Sequence, residues 1–590
     1  MMSRCLARLG AGIVAFLLPV ALTAAPALAQ EETGVISRAA PEPATYSGGS
    51  AAPATATRQM VVTAHPLASR AGLNALRDGG SAVDAAIAAQ MVLGLVEPQS
   101  SGIGGGAFLL HWDAQTGAVT TWDGRETAPA AARPDRFLSP DGTPQRWPDM
   151  VPGGLSVGVP GTLAMLYAVH QKHGRLPWAR LFDEAILLAR HGFGVSSRLS
   201  ALLSAMGPAA FSPAARDYFF GEDEAGPLLG EVRQNPEYAE TLERIAIEGP
   251  DAFYRGEIAD DIASAVRNAW RNPGDLTAAD LAGYTAVERP AVCAPYRLYW
   301  VCGMGPPSSG GIAVAMTLAM LERFDLGEVP TPEALHLIGE AENLAFADRD
   351  HYVADPDFVA VPEGLLDPGY LAQRSALIDP VRAGGIRDSG TPPGVAEPPT
   401  RDTTREAPGT SQITVIDADG NAVSMTTTIE SAFGSRLFVR GFLLNNELTD
   451  FAFVPDDAGR PVANRVEGGK RPRSSMAPTF VFGPDDRLRM ILGSPGGSRI
   501  IPYVVKAIVA HLDWGLDPQA AADMFNFGAR NGPFEIERIS GADDWIAALE
   551  ALGHAPMKVE MTSGLNIIVV RDGGIEAGSD PRREGMALGD

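Results

Sequence analysis

The sequence predicts a protein of the α+β class, and three observations carry that expectation. Apolar residues recur at helical spacing through most of 158–350, for instance over Gly161–His170, Trp178–His191, Glu257–Ala269, Ile312–Leu321 and Pro332–Asp350. Ala107-Phe108-Leu109-Leu110-His111-Trp112 and Ala118-Val119-Thr120-Thr121-Trp122 read as paired strands. The character changes sharply at Thr410, where Thr410-Ser411-Gln412-Ile413-Thr414-Val415-Ile416 alternates polar with apolar. The turn chemistry of Asp417-Ala418-Asp419-Gly420-Asn421 then leads into a return strand, Ala422–Thr428.

The remaining elements follow in order. Arg4 and Arg8, an apolar run from about Ala11 to Ala25, and the small-residue site Ala27-Leu28-Ala29 read as a secretory signal over 1–29, with an N-terminal membrane anchor as the alternative. Residues 30–59, rich in Ala, Pro, Ser, Thr and Gly, read as a flexible leader. Val61-Val62-Thr63 is a short strand. Leu67 to Leu95 is helical, interrupted at Asp78-Gly79-Gly80, and Ser81 caps its second part. The stretch 385–409 holds Pro392, Pro393, Pro398, Pro399 and Pro408, a composition that resists helix and strand alike. A helix near Ile501–Leu512 and a strand near Asn566–Arg571 complete the reading. The organisation is a large part over 60–409 with a Pro-rich end, and a small part over 410–590.

With 590 residues, 45% of them hydrophobic and 20% charged, the chain has the make-up of a globular enzyme. Its net charge of −24 gives no basic face for nucleic acid. Past the signal, no stretch is long and apolar enough to span a bilayer. The expected location is therefore the periplasm or the outside of the cell. Only Cys293 and Cys302 follow the signal, on a hairpin turning near Arg297. An exported chain favours a disulfide between them, and two buried thiols are the alternative, because sequence leaves the register open. His170 and His173 lack a third partner, so no metal site and no cofactor is expected.

A threonine hydroxyl is a weak nucleophile unless a base lies beside it, and a chain N-terminus supplies one in its own α-amine. Thr410 would gain that amine only if the Gly409–Thr410 bond were cut. Around it, in order, stand Asp123-Gly124-Arg125-Glu126-Thr127-Ala128-Pro129, Pro306-Pro307-Ser308-Ser309-Gly310-Gly311, Thr426-Thr427-Thr428-Ile429-Glu430, Asn445-Asn446-Glu447-Leu448-Thr449-Asp450-Phe451, Lys470-Arg471-Pro472-Arg473-Ser474-Ser475 and Gly493-Ser494-Pro495-Gly496-Gly497-Ser498. This ordered set, running from about Met60 to the C-terminus, resembles the gamma-glutamyltranspeptidases, a branch of the N-terminal nucleophile hydrolases.

The resemblance implies a four-layer αββα sandwich of two stacked antiparallel sheets. It also implies self-cleavage between Gly409 and Thr410 into a heterodimer. Thr410 would be the nucleophile, with Thr428 orienting it. Gly496 and Gly497 would supply the oxyanion hole. Arg125, Ser474 and Ser475 would hold a γ-glutamyl α-carboxylate, and Glu430, Glu447 and Asp450 its ammonium. The substrates would be a glutathione-like amide and an amine acceptor or water.

Two departures stand out. Many members carry Asn where this chain has Glu430, and the segment 450–474 is short and lacks the Tyr of a lid. The expectation is an open site in which hydrolysis competes with transfer. A glutaryl or cephalosporin-type acylase is the alternative on the same fold, and an exported binding protein without catalysis is a third reading.

Overall fold

A computed structural model of the chain describes residues 52–590, apart from 223, 405, 407 and 408. The signal sequence and the start of the leader lie outside the described residues. Two seven-stranded sheets form the centre. The first runs Ala54–Ala56, Gly574–Ser579, Asn566–Arg571, Leu488–Gly493, Thr479–Phe482, Tyr299–Gly303, Val292–Tyr296. The second runs Met586–Gly589, Met60–Thr63, Ser411–Ile416, Ala422–Thr428, Gly106–Asp113, Ala118–Gly124, Val287–Arg289. Every neighbouring pair in both sheets is antiparallel.

Helices cover the outer face of each sheet. Gly310–Leu321, Pro332–Tyr352 and Ile500–Leu512 bury Leu318, Ile338 and Val504 in one core with Phe480, Ile491 and Ile568 of the first sheet. Pro66–Arg77, Ala82–Val96 and Thr162–His173 share a second core with Leu109, Ile413, Val423 and Met425 of the second sheet. The result is the four-layer αββα sandwich.

The alternation read at 410–416 has a physical meaning here. Ile413 and Val415 face the helices, while Gln412 and Thr414 point between the sheets. Buried polar groups must find partners. Gln412 bonds Ser424 at 3.0 Å and Thr426 at 2.7 Å, and Asn566 of the other sheet reaches the Gln412 carbonyl at 2.7 Å. Slipping the strand by one residue would put Ile413 and Val415 into this polar layer, so the register is strongly specified.

Several local expectations find their structural counterpart. Ser81 and Asp84 form a reciprocal capping box at the start of the helix Ala82–Val96. Cys293 and Cys302 face each other in the Val292–Tyr296/Tyr299–Gly303 hairpin and are bonded, with S–S 2.09 Å. Trp178–His191 is a 3₁₀ turn, Trp178–Phe182, that passes into an α-helix at Asp183. Ordered sheet begins inside the stretch read as a leader, since Ala54–Ala56 pairs with Gly574–Ser579. Thr57 and Arg58 donate to the carbonyl of Asp590, each at 2.8 Å.

Candidate active site

Thr410 sits at the end of the most central hairpin of the second sheet. Ser411 pairs with Thr427, which brings Thr410 and Thr428 together at the same open end. The Thr410 hydroxyl donates to the Gly409 carbonyl oxygen, and the Thr428 hydroxyl donates to the same oxygen at 2.8 Å. Thr428 in turn accepts from the Glu430 amide at 2.7 Å, so its proton is directed at that carbonyl. Two hydroxyls on one carbonyl polarise it toward nucleophilic addition. Gly409 is required sterically, because a Cβ there would collide with the carbonyl oxygen of Glu430.

Behind the threonine lies a buried charged layer that motif order does not reveal. Arg583 donates to the Thr410 carbonyl at 2.9 Å. Ser411 donates to Glu97 at 2.9 Å, and Glu97 lies 3.6 Å from Arg198. Burial pushes the Glu97 carboxyl up to about 7, against the pull of Arg198 and Arg583. These residues are single charged positions scattered through the sequence. Their neighbours in sequence are polar or mixed, so no sequence signal marks them or names a partner.

The wall facing the threonines gathers the expected recognition residues. Arg125 is buried and reaches Asp450 at 2.6 Å, contacts Glu447, and donates to the carbonyls of Pro472 at 3.1 Å and Arg473 at 3.0 Å. Its backbone is held by Asp123, which accepts from the Arg125 amide at 2.9 Å, and by the Tyr284 hydroxyl on its carbonyl at 2.7 Å. Burial pulls the guanidinium toward losing its proton, and Glu447, Asp450 and Glu126 more than offset this, so its charge is secure. Burial pushes the Asp450 carboxyl well up, and the neighbouring Glu430 adds to the rise. Glu430 accepts from Asn446 at 2.6 Å. Thus Arg125 and the acids expected to bind opposite ends of a ligand satisfy one another directly.

Ser474 and Ser475 lie on the third side. The Pro306–Gly311 motif supports them: Ser309 donates to the Ser474 carbonyl from both its amide and its hydroxyl, each at 2.7 Å. Ser308 donates to the Met476 carbonyl at 2.6 Å. Ser475 accepts from Arg349 at 2.7 Å. Gly497, with φ +59, lines the same pocket as Thr410. Gly496, with φ +144, lies one residue back and has Tyr503 against its α-carbon, leaving no room for a side chain.

One feature differs from the expectation of an open site. The pocket among Arg125, Thr410, Thr428, Glu430, Asp450 and Ser475 has a volume of only about 20 Å³. Part of its lining is Glu406, four residues before Thr410, whose carboxylate pairs with Arg349 and lies 3.9 Å from Arg473. Burial alone would raise the Glu406 carboxyl, but Arg349 and Arg473 outweigh it and hold it low. Asp402 of the same tail pairs with Arg473 at 2.9 Å. From the tail before Thr410, Glu406 and Gly409 line this pocket. Glu406, Arg349 and Arg473 were not singled out as site residues from sequence.

The sequence-adjacent histidines do not converge. His170 bonds the Leu176 carbonyl at 2.9 Å, and His173 stacks on His111 at 3.9 Å between ring centres.

Comparison with known proteins adds an independent line. Residues 68–590 match the family model described as Gamma-glutamyltranspeptidase. The chain is 36% identical to the glutathione hydrolase proenzyme of Bacillus subtilis (strain 168), over 90% of this chain and 91% of that one. It is 37% identical to the glutathione hydrolase proenzyme of Escherichia coli (strain K12), with the same two coverages, 90% and 91%. The crystal structure of a cephalosporin acylase from Bacillus halodurans superposes with a TM-score of 0.80 at 28% identity, covering 92% of this chain and 97% of that one.

Proposed function

The chain belongs to the gamma-glutamyltranspeptidase family and is an enzyme, and from that premise we propose that it is a self-processing γ-glutamyltransferase and glutathione hydrolase. The observation that carries the proposal is the pair of hydroxyls, Thr410 and Thr428, on the carbonyl of Gly409. In the precursor, the Thr410 oxygen adds to that carbonyl carbon while Thr428 holds the developing oxyanion. The C–N bond breaks, the α-amine of Thr410 takes up a proton, and water releases residue 409 from the resulting ester. The freed amine then serves as base for the same hydroxyl.

In the mature enzyme the Thr410 oxygen attacks a γ-amide. The oxyanion falls to the turn carrying Gly496 and Gly497, and the amine leaves with a proton. The γ-glutamyl ester passes to water or to an amine. Departure of the tail removes Glu406 and Asp402 from Arg349 and Arg473. Cationic groups are thereby exposed beside Ser475, where an α-carboxylate would sit. On this reading the chain is exported, by the signal over 1–29, and works as a cleaved heterodimer. It acts on a glutathione-like donor, with no metal or cofactor in the reaction.

A ligand with both a carboxylate and an ammonium suits the wall well. It would replace the internal pairing of Arg125 with Glu447 and Asp450 by two external pairings. Because Asp450 is held toward its protonated form, an arriving ammonium should draw its proton off. Binding of L-glutamate to the mature enzyme is therefore expected to release protons. Its calorimetric enthalpy should change with the ionisation heat of the buffer, whereas glutarate, which lacks the ammonium, should show no such dependence. Equal behaviour of the two ligands would remove Asp450 from ammonium recognition.

A glutaryl-amide acylase remains the second reading, favoured by Glu430 in place of Asn and by the likeness to the cephalosporin acylase. Initial rates on γ-glutamyl-p-nitroanilide and glutaryl-p-nitroanilide decide between them. The γ-glutamyl amide is expected to react faster by at least about tenfold, the discrimination that one lost buried charge contact supports. The reverse preference would overturn the γ-glutamyl assignment.

A further inference from the structure

We propose that His336, Glu340 and His554 form a binding site for a divalent transition-metal ion of the zinc type, placed across the division between residues 60–409 and 410–590. His336 and Glu340 are four residues apart on the helix Pro332–Tyr352 and so share one face. His554 arrives from the turn after the helix Ala542–Ala551. One ligand atom from each of the three lies within 4.8 Å of the others. Two imidazoles and one carboxylate, completed by water, are a donor set that suits zinc. The site lies apart from the pocket around Thr410 and shares no residue with it.

The orientation of the rings strengthens the case. His336 Nε2 lies 2.8 Å from the backbone carbonyl of Asp379. A carbonyl can only accept, so Nε2 carries the proton and Nδ1 presents its lone pair. That lone pair faces His554 Nε2, 2.7 Å away. Without metal, His554 must supply the proton shared between the two nitrogens. A metal ion takes that proton's place, and the His554 proton moves to Nδ1. A backbone carbonyl on the far nitrogen is the contact that orients zinc-bound histidines.

The carboxylate is held in position too. Glu340 is fully buried and accepts from the Gly384 amide at 3.2 and 3.1 Å. It also pairs with Arg387, which keeps some exposure to solvent and can yield its place. Competition with Arg387 weakens every ion equally. Imidazole donors therefore decide the selectivity, favouring zinc, copper or nickel over magnesium or calcium.

The location gives the site a use that rests on the cleavage proposed above, although metal binding itself does not. His336 and Glu340 belong to the large part and His554 to the small part. The two are already in contact nearby, where the Ala383 amide donates to the Leu552 carbonyl at 2.7 Å. A metal ion would add a link there, beside the strand pairing that already joins the two parts.

The test is a zinc chloride titration of the purified protein by calorimetry and by thermal melting, on wild type, His554→Ala and the His336→Ala/His554→Ala pair. One zinc per chain is expected, with affinity at least about tenfold weaker in His554→Ala and a zinc-dependent rise in melting temperature that the variants lose. Zinc-free His554→Ala loses the bond to His336 and is expected to melt somewhat below wild type but in one cooperative transition, which excludes misfolding. Zinc uptake by wild type no greater than by the double variant would overturn the proposal.

Discussion

Thr410→Ala is expected to migrate as a single uncut chain on a denaturing gel and to lose amidase activity. The variant removes a hydroxyl that lies against the Gly409 carbonyl, at the bond whose cleavage would make residue 410 N-terminal. Thr428 touches the same oxygen but cannot replace it, since its hydroxyl is committed to polarising that carbonyl and to accepting from Glu430. Removing a nucleophile that acts as one unit with its base costs about a millionfold in rate. Thr410→Ser keeps the oxygen and is expected to cleave, though more slowly without the methyl group that fixes the rotamer. Sequencing the smaller band tests the assignment directly. A fragment beginning at position 410 in the Thr410→Ala protein would end the proposed mechanism.

Arg125→Ala should produce the second largest effect, and a broader one than simple loss of substrate contact. The guanidinium is the shared partner of Glu447 and Asp450, with Glu126 at 3.9 Å. Deleting it leaves buried carboxylates unpaired, a change that typically costs about 3–5 kcal/mol. The variant is therefore expected to be less stable, to mature poorly, and to show kcat/KM on γ-glutamyl-p-nitroanilide reduced by at least about a hundredfold. The pairing with Glu447 and Asp450 is what extends the effect from binding to maturation. Arg125→Lys retains the charge and should recover maturation more than substrate binding, because an ammonium cannot make the two parallel bonds of a guanidinium. An Arg125→Ala enzyme that matures normally and keeps its KM would show that Arg125 does not contact the substrate.

How far these features could be read in advance depends on whether a neighbour in sequence carries the information. The 411–428 hairpin and the Ser81 cap are local, and period and turn chemistry were enough for them, whereas the Cys293–Cys302 register needed the fold. The residues proposed to recognise substrate lie far apart but occur in ordered motifs, so they could be nominated together. Their mutual pairing was invisible, because nothing in Asn445-Asn446-Glu447 indicates that its acid rests on Arg125. Glu97, Arg198, Arg349, Glu406 and Arg583 belong to no motif, and burial alone gives them meaning. The central strands Thr479–Phe482 and Leu488–Gly493 also escaped notice. They are short and almost uniformly apolar, so no alternation marks them.

The order of strands in the second sheet has a mechanical result. Met60–Thr63 is sandwiched between Met586–Gly589 and Ser411–Ile416, and Ala422–Thr428 lies against Gly106–Asp113. Strands from either side of the 409/410 junction are thus woven into one ladder. A cut there would alter the connectivity of the polypeptide and leave the weave in place. The two fragments could then be parted only by melting the sheet itself, and they should travel through purification as one particle until a denaturant is added.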